Sequence, residues 1–430
     1  MRILLTGATG LIGGAIARAL LQRGHEVVCA VRDPSRLQLP PPARALSVDL
    51  STLPDADWWR PHLEGVDAVV NAVGILRESS GRSFEVLHHR APAELFMACA
   101  TAGVRSVVQI SALGADENAR TPYHLSKRAA DDLLRALPLR GAVVQPSLVF
   151  SPEGASSALF LGLATAPLLM LPAGGRMAVQ PVHLDDLVGG VLALLEDPPP
   201  TVTTLAFVGP QPIPLRVYLA GLRTQLGLGR EQWTLAIPEQ LFRAGARIAG
   251  RVPGSPLDAD TASMLLAGNA APADDITRLL GRRPLDPSAF VPPALAPALR
   301  ARAALGWTQP LLRWTLAFLW LWTAIVSLGL YPPEFSRDLL SRVGLEGATA
   351  TLALYGAALA DLALGVLTLW APPRWRWWVW PAQLALIAGY TLLVTVFLPE
   401  YWLHPYGPIS KNLPIIGVIV LLWALEPRRR

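Results

Sequence analysis

Between residues 314 and 425 the sequence passes through four apolar runs, at 314–330, 348–371, 377–398 and 413–425. The first three are long enough to cross a hydrocarbon layer of about 30 Å, which takes about 20 helical residues. Lipid offers no hydrogen bonds, so a chain inside it must pair its backbone internally, and a run of this kind folds as a helix. Eleven of the 14 tryptophans lie from Trp307 onward, and Trp gathers where membrane meets water. The expectation is an all-α, four-helix transmembrane bundle over residues 311–430, preceded by a juxtamembrane linker at 298–310.

Charge placement supports four crossings. Arg300, Arg302 and Arg313 precede the first run, Arg374 and Arg376 separate the second from the third, and Arg428–Arg430 follow the fourth. An even number of crossings puts these clusters on one side, as the positive-inside rule requires. Arg337, Arg342 and Lys411 fall on the other. Residues 1–10 lead straight into glycines with neither a long apolar core nor a small-residue cleavage site. A multi-pass protein of the inner (cytoplasmic) membrane is therefore expected, with residues 1–305 in the cytosol.

The rest of the chain has a different rhythm. Over residues 1–150, strand-like runs at 3–5, 26–31, 45–48, 68–73, 106–110 and 142–145 alternate with helix-like runs, notably 11–23, 92–102 and 123–137. That alternation predicts an α/β unit with a doubly wound parallel sheet. Residues 151–297 are less regular and rich in Pro and Gly, and are expected to form a substrate-side lobe of the same unit. Its apolar stretch at 158–171 is too short to span a membrane, and either lines an oily pocket or forms a core helix. The two cysteines, Cys29 and Cys99, sit in apolar surroundings without metal-ligand spacing. Neither a metal nor a nucleic-acid partner is expected.

Thr6-Gly7-Ala8-Thr9-Gly10-Leu11-Ile12-Gly13 follows a strand and opens a helix. Gly7 permits the tight turn, Gly10 lets backbone approach a pyrophosphate, and Gly13 lets helix and sheet pack closely. The helix N-terminus adds N–H groups and a positive dipole end, so Gly7, Thr9, Gly10, Leu11, Ile12 and Gly13 form a dinucleotide cradle. After the second strand come Arg32, Asp33 and Arg36. An acidic residue at this place takes a ribose hydroxyl of NAD, and an Arg accommodates the 2′-phosphate of NADP, so NADP(H) is favoured over NAD(H). Asp49 is a candidate for the adenine amino group, and Asn71, Ala72 and Gly74 end the fourth strand beside the cofactor path.

Only two lysines occur among the 37 Lys+Arg residues, Lys127 and Lys411. Where Arg replaces Lys almost everywhere, a retained Lys marks a place needing a compact, tunable ammonium. Lys127 ends Tyr123-His124-Leu125-Ser126-Lys127, whose i, i+4 spacing sets Tyr and Lys on one helix face. A nearby ammonium is expected to lower the phenol pKa from its usual value of about 10 and so ease proton exchange. Tyr123 is the expected proton donor and Lys127 its modulator and ribose ligand.

With these motifs, residues 1–290 resemble an atypical short-chain dehydrogenase/reductase near the NmrA-like and epimerase/dehydratase-like branches. Gln145-Pro146-Ser147-Leu148-Val149-Phe150-Ser151-Pro152 is similar to the family's Arg-Pro-x-x-Val-x-Gly-Pro segment, departing at Gln145 and Ser151; the resemblance places Pro146 against the cofactor. Pro181-Val182-His183-Leu184-Asp185-Asp186 is similar to a later structural stretch. The resemblance also implies a catalytic Ser after the fifth strand. Ser111 stands there, followed by Ala112-Leu113-Gly114 where a second Ser or Thr is common.

The C-terminal part resembles the DoxX-like four-helix membrane family, on its helix count and on His404-Pro405-Tyr406-Gly407-Pro408 leading into Lys411-Asn412-Leu413-Pro414. Asp361, with Ala357 and Gly365 on its face, falls near mid-bilayer, where an ionisable residue faces the bundle interior. Asp361, His404, Lys411 and Asn412 are its polar candidates. Together these features imply a membrane-anchored NADP(H)-dependent oxidoreductase acting on a lipid-soluble carbonyl or quinone-like substrate. Two alternatives stay open: a non-catalytic nucleotide-binding sensor or assembly subunit, and a nucleotide-sugar epimerase or dehydratase.

Overall fold

A computed structural model describes residues 1–229, 232–251, 255 and 257–427. The basic cluster Arg428–Arg430 lies outside the described residues. The chain divides into two compact units, Met1–Ala304 and a second beginning at Leu305.

The first unit is built on a seven-stranded sheet. Its strands are β1 (Arg2–Thr6), β2 (Glu26–Val31), β3 (Arg44–Ser47), β4 (Ala68–Asn71), β5 (Ser106–Ile110), β6 (Gly141–Pro146) and the last, Thr203–Phe207. All pairings are parallel, and β1 lies between β2 and β4, with β5, β6 and Thr203–Phe207 continuing beyond β4. A parallel sheet needs both faces covered, which is why these strands read as nearly continuous apolar runs. Leu4, Val69, Val107 and Val143 point to one face and pack with Trp59, Phe96 and Leu134. Leu5, Val70, Val108 and Val144 point to the other and pack with Ile16, Leu20, Leu187 and Val191. The strand order reverses between β1 and β4, which opens a crevice at their C-terminal ends.

Residues after β6 hold a smaller core of Phe150, Phe160, Leu161, Leu169, Leu171, Tyr218 and Phe290. Here the stretch at 158–171 divides between a helix, Ala155–Thr165, and a strand, Leu168–Pro172. Its inward side chains are core residues, and the oily-pocket alternative is set aside for that reason.

The range read as a juxtamembrane linker is helical instead. A single helix, Ala296–Ile325, runs through residues 298–310 and tolerates Pro310 inside it. It is followed by Pro333–Arg342, Gly347–Trp370, Pro373–Phe397 and Asn412–Ala424. Three of the described helices are long and apolar enough to cross a membrane: Ala296–Leu330, Gly347–Trp370 and Pro373–Phe397. Asn412–Ala424 has 13 residues, a rise of about 20 Å. It still shares the second unit's core, where Ile419 and Leu422 pack with Leu316, Trp320, Leu364 and Trp380.

Candidate active site

The turn after β1 is shaped by its glycines. Gly7 has a φ of +77°, and a Cβ there would lie 2.6 Å from the Ala72 carbonyl oxygen. A Cβ on Gly13 would lie 2.3 Å from the Gly7 oxygen. No side chain fits at either place, so the turn hugs the end of β4. The helix Leu11–Gln22 then starts with Gly10 as its N-cap, with no side-chain cap and no acidic residue in its first turn. That leaves the amide groups of a helix N-terminus open to an anion, with Thr9, Leu11 and Ile12 around it.

Beyond β2, Arg32 and Arg36 are exposed. Asp33 is engaged locally: its carboxylate accepts from the Ser35 amide at 3.1 Å and the Ser35 hydroxyl at 2.6 Å. Those bonds hold its carboxyl below the ordinary range. Asp49 accepts from Ser51 in the same way, through Oδ1.

Across the C-terminal ends of adjacent strands, Thr6, Asn71 and Gln109 are partners in register on β1, β4 and β5. Thr6 Oγ donates to Asn71 Oδ1, and Asn71 Nδ2 donates to Gln109 Oε1 at 2.6 Å. Asn71 thus sits in the middle of a buried polar row. Ala72 and Gly74 follow it along the crevice, and Pro146 ends β6, where its carbonyl accepts from Leu113 at 3.0 Å.

The helix Pro122–Ala136, capped by Thr121, carries Tyr123 and Lys127. Lys127 is buried, and its Nζ donates to the carbonyls of Val73 and Ile110, each at 3.0 Å. These two carbonyls stand just past β4 and at the end of β5, so the ammonium bridges neighbouring strands at the crevice. A Cβ on Gly74 would sit 3.4 Å from that Nζ. Burial pushes the Lys127 ammonium down from its ordinary value, and the nearby Asp131 carboxylate opposes the shift.

One site expectation changes. Burial, with Asp131 adding to it, pushes the Tyr123 phenol up to about 12, the reverse of the expected lowering. Ser111, the serine that the resemblance implies as catalytic, donates its hydroxyl to Asp131 Oδ2 in this structure.

Three residues were not foreseen. Asp131, one helical turn past Lys127, has its carboxyl pushed up by burial, while Ser111 and Lys127 pull the other way. The i, i+4 step from Lys127 was the one available sign. Gln109 closes the row just described. His88 lies in a π-helical segment, Glu85–Arg90, and such wide turns favour functional sites. Its Nε2 accepts the Ile75 amide at 2.9 Å and its Nδ1 meets Ser126 Oγ at 3.0 Å. Ser126 in turn donates to the Tyr123 carbonyl at 2.8 Å. The His88 and Tyr123 rings meet nearly perpendicular, with their centroids 5.4 Å apart. Burial, then the Lys127 charge, push its pKa down to about 3, so His88 is neutral.

In the second unit Asp361 is buried as expected, and its Oδ1 has no hydrogen-bond partner among the described residues. A polar chain runs from Trp320 Nε1 to Gln383 at 2.9 Å and from Gln383 to Thr368 at 2.9 Å. Asn412 donates to Thr391 at 2.9 Å, whereas Lys411 and His404 are exposed.

Residues 7–159 match the NAD(P)H-binding family model, and residues 317–420 match the DoxX-like family model. The chain is 28% identical to a ceramide reductase of Caulobacter vibrioides over 204 residues, 46% of this chain and 61% of that one. It is 30% identical to a 3-diazoavenalumate denitrifying reductase of a Streptomyces species over 228 residues, 46% of this chain and 72% of that one. Among solved structures, an NADPH-dependent quinone oxidoreductase from Escherichia coli shares the fold. Its TM-score is 0.55 at 17% identity, over 67% of this chain and 98% of that one. The chain belongs to the NAD(P)H-binding Rossmann family, NmrA-like and close in fold to a nucleoside-diphosphate-sugar epimerase, and joins to that domain a C-terminal DoxX-like domain.

Proposed function

We propose that this chain is an NADPH-dependent reductase of a lipid-soluble carbonyl or quinone-like substrate. It is held in the cytoplasmic membrane with its nucleotide-binding unit in the cytosol. The observation that carries the reading is the placement of Lys127 between the Val73 and Ile110 carbonyls, one turn after Tyr123, at the sheet's reversal point. Supporting it, the glycine turn has no room for side chains against Ala72, as close approach of a pyrophosphate requires. Asp33 is occupied by Ser35, which leaves Arg32 and Arg36 as the groups facing a 2′-phosphate. The two relatives named above are both reductases, one of them of a lipid.

Bound NADPH would supply a hydride to the substrate carbonyl. Reduction then needs a proton on the developing oxyanion, and Tyr123 is the donor. A phenol with its pKa raised to about 12 carries its proton at neutral pH and so has one to give, while the tyrosinate that the reverse reaction requires is scarcely populated. Lys127 fixes the end of the crevice one helical turn beyond Tyr123. His88 and Ser126 hold the first turn of the helix that presents Tyr123.

The test is NADPH consumption by the full-length protein in bilayer nanodiscs, offered a long-chain ketone or a short-tailed quinone. Tyr123→Phe should keep the fold and NADPH binding and lose about 100- to 10,000-fold in turnover. Unchanged turnover in that variant would give preference to a nucleotide-binding sensor.

A further inference from the structure

A two-stranded parallel ribbon in the first unit is separate from the main sheet. Strand Trp233–Ile237 lies beside Leu168–Pro172, with Trp233 opposite Leu168 and Leu235 opposite Met170. Alternate residues of a strand face opposite ways, so these four side chains share one face. On the reverse face Leu169 and Leu171 are buried in the lobe's core, while Leu168, Met170, Trp233 and Leu235 are all exposed. Trp233 shows 83% of its surface. The helix Glu239–Ala249 follows directly and adds Leu241 and Ile248, exposed at 63% and 64%. Isolated exposed apolar residues need no explanation, but a grouped set of this size marks a surface with a partner.

Exposed arginines flank the patch on its helix side: Arg247 lies on the exposed side of that helix and Arg251 just beyond it. Among the described residues nearby, Glu239 is paired with Arg243 at 2.7 Å and Asp258 with Arg77 at 2.8 Å. A Trp among aliphatic side chains, flanked by arginines, has the composition of a surface that lies in a lipid interface. Anionic headgroups attract basic residues at short range.

We propose that this face of the first unit seats on an anionic lipid surface. Trp233, Leu235, Leu241 and Ile248 enter the boundary between headgroups and acyl chains, while Arg247 and Arg251 pair with lipid phosphates. Apolar helices in the same chain hold it to a membrane, so the patch meets lipid at high effective concentration and needs little intrinsic affinity. The seating is independent of catalysis.

The experiment uses the full-length protein with a cysteine-directed, environment-sensitive fluorophore at Leu235→Cys, and in a second variant at Leu241→Cys. The native Cys29 and Cys99 are buried and stay unlabelled. In vesicles containing phosphatidylglycerol, both probes should shift to the blue, lose quenching by aqueous iodide and gain quenching by doxyl-labelled lipid. A probe at Asp57→Cys, on an exposed polar site, should remain open to iodide. In pure phosphatidylcholine, or in a variant joining Arg247→Gln and Arg251→Gln, iodide quenching at 235 and 241 should return. Probes as open to iodide as the one at 57 in phosphatidylglycerol vesicles overturn the proposal. So does shielding indifferent to lipid charge, or shielding that tracks protein concentration in detergent, which assigns the face to a second copy of the chain.

Discussion

Lys127 Nζ donates to the Ile110 carbonyl at 3.0 Å and so ties the helix bearing Tyr123 to the end of β5. With Val73 at the same distance, a compact ammonium is caught between two strand ends. The planar, longer guanidinium of Lys127→Arg does not fit between those carbonyls and Gly74. We expect kcat/KM for NADPH-dependent reduction to fall by at least about tenfold, or ~1.4 kcal/mol of transition-state stabilisation. Since burial lowers the Lys127 pKa from 10.5, the first alkaline loss of activity should belong to this ammonium and lie below that pH. The Tyr123 phenol, raised to about 12, titrates later. A pH–rate profile checks this, and Lys127→Arg should lack the earlier limb.

His88 gives a prediction on stability. Its pKa is about 3 in the folded chain against an ordinary 6.5. Above pH 6.5 the imidazole is neutral in both states and contributes no pH dependence. As the pH drops below 6.5 the unfolded chain takes up a proton that the folded chain refuses. Stability should then fall by up to about 1.4 kcal/mol per pH unit. Melting temperatures of the full-length protein between pH 7.5 and 5 should decline, with a shallower slope in His88→Gln.

Cofactor choice should rest on the residues after β2. The protein is expected to bind NADPH more tightly than NADH, and Arg32→Ala to remove most of that preference while leaving NADH affinity unchanged. Equal titration curves for the two nucleotides in the unaltered protein would reject the assignment.

Reporter fusions bear on the arrangement in the membrane. With four crossings, fusions at Arg374–Arg376, in the first turn of the helix Pro373–Phe397, and after Ala424 should report the cytosol, and those at His404–Pro408 the outside. The result hinges on Asn412–Ala424, whose 13 residues are short for a full crossing.

What could be read in advance was local in sequence. The glycine turn, the strand–helix alternation and the Tyr123–Lys127 pair each depend on residues a few positions apart, and backbone geometry translates such spacing directly into place. What could not be read depends on distant segments meeting. His88 reaches Ile75 and Ser126 only because β4 and the helix Pro122–Ala136 converge. The Tyr123 shift went the opposite way because burial and the Asp131 carboxylate both push it up, and burial is a property of the assembled unit. Ser111 was placed correctly in the chain, but its partner Asp131 lies 20 residues on. In the second unit, apolar length located the helices, while the helix running through 298–310 carried no compositional sign of its start.

In the second unit the buried carboxylate of Glu426 pairs with Arg313 at one chain distance and Arg376 at another, 3.7 Å away in the second case. Those arginines belong to the helices Ala296–Ile325 and Pro373–Phe397, so the clasp joins three helices through a residue synthesised after all of them. During biogenesis this clasp therefore cannot close until residue 426 has cleared the ribosome. The Rossmann unit, whose contacts are complete by Ala304, can be finished while its anchor is still being inserted. Order of manufacture thus gives the cell a folded, nucleotide-competent head before it has a closed membrane base.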